Sequence, residues 1–163
     1  MSRTLLLSTG TSIANGTAAL PSYQKKTTAW DETADELREQ AKERLAGLDL
    51  TSESGLVRAS AELNILQRLS VCPDDEIILF STDTADGRCC SELLAGVVRD
   101  VLGVINVTVE RVEGLQVRDA DTLRKVGLTN FTRRLIHYLD DPQRRYGGGC
   151  VLCPNGGFKG IVP

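Results

Sequence analysis

The stretch TLLLSTGTS, Thr4 to Ser12, sets the reading of this chain. Three consecutive leucines framed by Thr4 and Ser8 run straight into Thr9-Gly10-Thr11-Ser12. A strand that is apolar at successive positions has no polar face, so both faces must be covered, as in a parallel sheet. The small and hydroxyl-bearing residues that follow end the strand and free the backbone to turn.

Three further runs have strand character: Glu76–Ser81 (EIILFS), Val107–Val112 (VTVERV) and Cys150–Cys153 (CVLC). The second and fourth of the four runs match the first in being apolar nearly throughout, which predicts cover on both faces. The third alternates and belongs nearer a sheet edge. Helical periods fill the intervals. Thr33-Ala-Asp-Glu36 fits a capping box, followed by a stripe of Leu37, Ala41, Leu45 and Leu48. Leu56, Ala59, Leu63, Leu66 and Leu69 form a second stripe after the polar TSES at Thr51–Ser54. Cys90, Leu94, Val97 and Val101 form a third, with Gly103 placed to stop it. Leu123, Val126, Phe131, Leu135 and Leu139 form a looser fourth across Gly127, ending before Pro142. Gly16–Trp30 lacks a period and reads as a long surface loop, and Tyr146-Gly-Gly-Gly149 reads as a second loop.

Strands alternating with helices predict an α/β fold, a Rossmann-like open parallel sheet flanked by helices. The 163 residues make one domain, 1–163, able to bury roughly 70% of the unfolded surface. The last glycine loop is not followed by a helix before Pro163, so we expect a longer protein that continues into an effector domain. The formal net charge of −3 argues against a surface that wraps long nucleic acid, so any such ligand is expected to be small. Five cysteines without scaffold spacing, no signal peptide and no run long enough to span a bilayer predict a reduced, soluble, cytoplasmic protein without a membrane segment.

In open α/β sheets, ligands lie beyond the carboxyl ends of the strands. Three such ends are rich in small polar residues: Thr9-Gly10-Thr11-Ser12, Ser81-Thr82-Asp83-Thr84 and Asn155-Gly156-Gly157-Phe158-Lys159. Glycines let amides approach an anion, hydroxyls donate to phosphate or sugar oxygens, and Lys159 supplies a full positive charge. Glycine after a strand also makes ordinary turns, so no single loop decides the matter. The first loop is not GxGxxG, since Gly10 and Gly16 are six apart, and no loop reads GxxxxGK[ST]. A Rossmann-like domain binding another nucleotide, such as NAD or ATP, therefore stands as the alternative.

Other chemistry-bearing residues have plainer readings. Cys150-x-x-Cys153 lies inside an apolar run with no second pair, which favours packing over zinc or redox exchange; no metal and no cofactor are expected. Cys89 and Cys90 open a helix as neighbours that cannot both face one site. His137, the one histidine, sits among Arg133, Arg134, Tyr138, Asp140 and Asp141 on a solvated face, and Arg144-Arg145 reads as surface.

Taken jointly, the loops resemble the CARF (CRISPR-associated Rossmann fold) domains of type III CRISPR ancillary proteins, in the ring-nuclease-like subgroup. The likeness rests on Leu5-Leu-Leu-Ser-Thr-Gly-Thr-Ser12, Ser60-Ala-Glu-Leu-Asn64, Phe80-Ser-Thr-Asp-Thr84, Val112-Glu-Gly-Leu115 and Asn155-Gly-Gly-Phe-Lys159, in order along the chain. Where family members often carry asparagine, a variable residue and threonine or serine before the two glycines, this chain reads Cys153-Pro-Asn155. The Asn155 amide there replaces a hydroxyl.

The resemblance implies a homodimer whose two-fold axis passes through a groove of strand-end loops. The implied ligand of that groove is a cyclic oligoadenylate, most often the tetra-adenylate, serving as the second messenger of type III CRISPR antiviral defence. A symmetric ring suits a symmetric groove. It also implies, for some members, metal-independent cleavage to 2′,3′-cyclic phosphate products. In that case Thr11 or Ser12 orients the ribose or phosphate, and Lys159 stabilises the developing charge. A sensor that binds without cutting uses the same residues.

Overall fold

Leu5, Leu6 and Leu7 are each at most 1% exposed. Burial on both faces places β1 (Thr4–Ser8) inside a sheet, and each such leucine stabilises the fold by roughly 1.5–3 kcal/mol. The computed structural model describes residues 2–25, 28–116 and 118–154. β1 pairs in parallel with β2 (Glu76–Ser81) on one side and with β4 (Cys150–Cys153) on the other. β3 (Asn106–Arg111) adds to the outer side of β2, giving the order β3-β2-β1-β4, all parallel. The expected strand bounds hold, with the third displaced by one residue.

Side chains alternate across the sheet and feed two cores. Leu5, Leu7, Ile77, Leu79 and Val107 pack beneath α2 (Asp35–Ala46), α3 (Glu53–Ala59), α4 (Ala61–Arg68) and α5 (Ala85–Leu102). Leu6, Ile78 and Phe80 face the other way, against Phe131 of α7 (Leu128–Leu139). Phe80 and Phe131 meet edge to face at 5.3 Å, a geometry aromatic rings favour. The fold is therefore α/β, an open parallel sheet with helices on both faces. Among the described residues, no helix is long and apolar enough to cross a membrane.

Several local expectations need correction. β4 is apolar throughout but pairs on one side only among the described residues, and Leu152 is 47% exposed. Apolar sequence reports what a strand is able to bury, and an edge position leaves part of it open. The capping box is absent: α2 starts one residue late, behind a buried Ala34 that makes no side-chain cap. The second stripe is two helices, because Ser60 is extended and its hydroxyl caps α4 through Leu63 N at 3.0 Å. Gly16–Trp30 contains a short helix, α1 (Leu20–Lys25). The fourth stripe runs from α6 (Ala120–Thr122) through a π turn at Leu123–Gly127 into α7. After it, α8 (Pro142–Gly147) starts on Pro142 with Asp141 as its cap. The expected stop of α5 is present, with Gly103 at φ +70°.

The amino ends of β1 and β2 are tied by charge. Asp75 accepts from Arg3 N at 2.9 Å, from the Arg3 guanidinium at 2.7 Å and from Cys72 N at 2.9 Å. Burial alone would raise the Asp75 pKa, but the Arg3 and Cys72 bonds prevail and hold it at about 2, below the ordinary 3.8. A depressed carboxyl stabilises the fold above its ordinary pKa, and the contribution fades as pH falls toward the folded value. Asp75→Asn should therefore lower stability at neutral pH by about 2 kcal/mol and flatten the acid limb between roughly pH 4 and 2, read by urea unfolding across that range.

Candidate functional site

All four strands are parallel, so their carboxyl ends share one rim. The chain builds β2 and β3 on one side of β1, then crosses to place β4 on the other. That reversal is the topological switch point, where the loops diverge and leave a crevice. It lies between β1 and β4, where Leu7 stands beside Cys153 just before the Ser8–Ser12 turn. The first and last strands of the chain are thus neighbours in the sheet. Asn155, Gly156, Gly157, Phe158 and Lys159 lie outside the described residues.

The first loop is held by a set of buried polar bonds. Thr9 is buried; its amide donates to Phe80 O and its hydroxyl to the same carbonyl, both at 2.9 Å. A hydroxyl has one proton, so the 2.6 Å contact with Ser91 Oγ has Ser91 as donor. Thr9 braces β1 to β2 and α5. Glu62, 2% exposed in the first turn of α4, accepts from Gly10 N at 2.9 Å and from Ser12 Oγ at 2.5 Å. Ser12 Oγ in turn accepts from Ala61 N at 3.2 Å. Both the Gly10 amide and the Ser12 proton are thus committed to the fold. Thr11 is different: its hydroxyl accepts from Gln24 Nε2 at 3.1 Å, and its own proton has no acceptor among the described residues. Of the expected hydroxyls in this loop, Thr11 is the one left able to donate outward.

The second loop is equally tied. Ser81 is fully buried, and Thr84 caps α5 through Gly87 N at 3.3 Å while bonding Thr82 Oγ1 at 2.8 Å. A Cβ at Gly87 would fall 1.7 Å from Thr82 Oγ1, so any larger residue there would have to displace the Thr82 hydroxyl. Asp83 Oδ2 accepts from Gly114 N at 2.8 Å, which ties the β2 end to the β3 end; its Oδ1 is buried without a partner among the described residues. Gly114 has φ +75° and packs against Gly127 too closely for a side chain, so the π turn closes directly on this loop.

The expected residues Thr9, Gly10, Thr11, Ser12, Ser81, Thr82, Asp83 and Thr84 therefore share one rim, but only some face outward. Two groups had been missed. Glu62 was visible only as a carboxylate amid apolar positions after Ser60. Asp86, buried at the start of α5, pairs with Arg118 at 2.6 Å, a contact 32 residues apart that no local pattern signals. Cys150 packs on the Leu6 side of the sheet and Cys153 on the Leu7 side, so the two side chains do not converge. Burial raises the thiol pKa of Cys89, Cys90 and Cys153.

A family model described as CRISPR-associated protein (Cas_APE2256) matches residues 57–162, well over half of the chain. The matched span takes in the second loop and the segment after β4, while Thr9–Ser12 precede it. No curated protein matches the chain.

If Glu62 shapes the first loop, removing its oxygens should leave a buried amide and hydroxyl unpaired. Glu62→Ala should lower unfolding free energy by about 2–3 kcal/mol, while Glu62→Gln, which still accepts from Gly10, should lose about 1. Urea denaturation gives both values, and equal losses would show that the bond to Gly10 contributes nothing.

Proposed function

The chain belongs to the CRISPR-associated family whose model it matches, and from that premise we propose that it binds a cyclic oligoadenylate, most favourably the tetra-adenylate. The observation that carries this reading is the pairing of β1 with β4, which puts the Thr9–Ser12 turn and Cys153, the last residue of β4, on one rim at the switch point. Two copies around a two-fold axis would present this rim twice to a ring of repeating nucleotides. Thr11 donates to a phosphate oxygen, the Gly156 and Gly157 amides approach the phosphodiesters, and Lys159 offsets their charge. Gly10 and Ser12 act indirectly, by holding Thr11 in place. The domain serves as a sensor in type III CRISPR antiviral signalling.

A second reading adds cleavage, and the uncommitted proton of Thr11 favours it. A ribose 2′-oxygen attacks the adjacent phosphorus and the bond to the 5′-oxygen breaks. The 2′-proton leaves to solvent and the 5′-oxygen takes one up, giving a linear product with a 2′,3′-cyclic phosphate. The protein has only to hold the attacking oxygen in line and stabilise the extra charge on phosphorus. Thr11 and Lys159 supply those two functions without a metal.

The test is to incubate the purified chain with cyclic tetra- and hexa-adenylate in chelator and follow melting temperature and products together. A rise in melting temperature with intact ring identifies the sensor; a rise followed by linear products identifies the nuclease. Lys159→Ala should weaken binding at least tenfold, about 1.4 kcal/mol, and abolish cutting. Thr11→Ala should weaken binding less than Lys159→Ala. A response to NAD or ATP and to neither ring would replace this reading with that of another nucleotide-binding Rossmann-like domain.

A further inference from the structure

A groove of about 870 Å³ opens beside the carboxyl end of β3, between Arg111, Val112 and Glu113 and one face of α7. The α7 residues lining it are Asn130, Arg133, Arg134 and His137. Their spacing of three, four and seven is that of a single helical stripe, about 10 Å long. Phe131, Leu135 and Tyr138 occupy a different side of the helix, roughly 120° around, and pack on the sheet, which leaves the stripe turned away from the core. Asn130 anchors the wall by donating to Glu113 O at 3.0 Å.

The charges in the groove are unequally engaged. Arg134 pairs with Glu110 at 3.0 Å, and Glu110 also accepts from the Tyr138 hydroxyl at 2.6 Å. Arg134 remains 55% exposed, leaving other guanidinium donors open. Arg111 stacks over the Trp30 ring at 5.6 Å and reaches Asp31 only at 3.9 Å, a contact between exposed side chains that contributes little. Arg133 makes no hydrogen bond or ion pair among the described residues. The wider sequence agrees with this local balance. Residues 111–163 hold nine basic and five acidic residues, whereas residues 1–110 hold ten and seventeen. The net charge of −3 thus conceals a basic carboxyl-terminal third.

Among the described residues, Val112 is the one apolar side chain lining the groove, which disfavours a small apolar ligand. Guanidinium forks on both walls match phosphate oxygens, two to a fork. The length of the stripe exceeds what a single ion needs, and the Arg111–Trp30 stack borders it with an aromatic surface on which a base can lie. We infer that this groove, at the β3 edge and away from the β1–β4 switch point, binds a short single-stranded oligonucleotide through the phosphates held by Arg111, Arg133 and Arg134. The inference is independent of what the rim binds.

The test uses the full chain and a dye-labelled uridine oligomer of about a dozen nucleotides, followed by fluorescence anisotropy between roughly 50 and 200 mM salt. Three phosphate contacts on a single strand predict a slope of log K against log salt near −2. The double variant Arg133→Ala with Arg134→Ala, both exposed, should weaken binding at least tenfold at the low-salt end and bring the slope to about −0.7. Arg133→Glu alone should weaken it further than Arg133→Ala. Absence of binding at low salt, an unchanged slope in the double variant, displacement by saturating cyclic tetra-adenylate, or equal displacement by a poly-glutamate peptide would each overturn the proposal.

Discussion

β1 is hydrogen-bonded on both edges and covered on both faces, and that double enclosure governs the rest of the molecule. A five-residue segment in that position spends its backbone donors and acceptors on its neighbours, and its three leucines on the two cores. Polar chemistry can exist only where the strand begins and where it ends. At the start, Arg3 and Asp75 clamp β1 to β2. Nearby, Arg144 of α8 reaches Glu76, which also accepts from Thr4. At the finish, the chain emerges as Thr9–Ser12 beside β4. One end is closed by ion pairs, and the other opens at the switch point.

The open end is not loose. Buried polar groups are stable only when their partners are in place, and here they are drawn from distant parts of the chain. Glu62 comes from α4, Ser91 from α5 and Gly114 from the β3 end. Each fixes one backbone turn at the rim. The result is a division of labour among residues that look alike in sequence. Thr9 and Ser12 have their protons committed inward, while Thr11, between them, keeps its own. A rim pre-shaped in this way spends little ordering free energy when an anion arrives.

Much of this was legible from the residues. Three leucines in succession cannot be a solvated strand, and the alternating β3 could be set at an edge for the same reason. Gly103 marked a helix end because only a left-handed residue closes it cheaply. What failed to show were properties of pairing partners. Leu152 reads like Leu6, its neighbour in register, yet it is half exposed because no described strand lies beyond β4. Ser60 reads as an interior helical position until its hydroxyl is seen capping Leu63. The three loops were singled out because strand ends are where parallel sheets leave room. Glu62 and the Asp86–Arg118 pair escaped because side chains that meet across 50 or 32 residues leave no local period.

Charge also behaves differently at the two surfaces. A chain with formal charge −3 has no field strong enough to gather polyanions at large, so the anion proposed for the strand ends relies on oriented neutral groups beside the one cation, Lys159. Amides and hydroxyls serve that purpose because their dipoles are fixed by the fold before the ligand comes. On the outer face of α7 the situation is reversed: the groups are guanidiniums on flexible stems, little constrained and exposed to salt. Interactions of the first kind depend on geometry and hardly on ionic strength, while those of the second follow counterion release. The two proposed sites thus differ in kind: a shaped one at the point where strand order reverses, and a charged one at the edge where β3 meets α7. The topology β3-β2-β1-β4 separates them by the width of β2 and its loop, so each can be altered without dismantling the other.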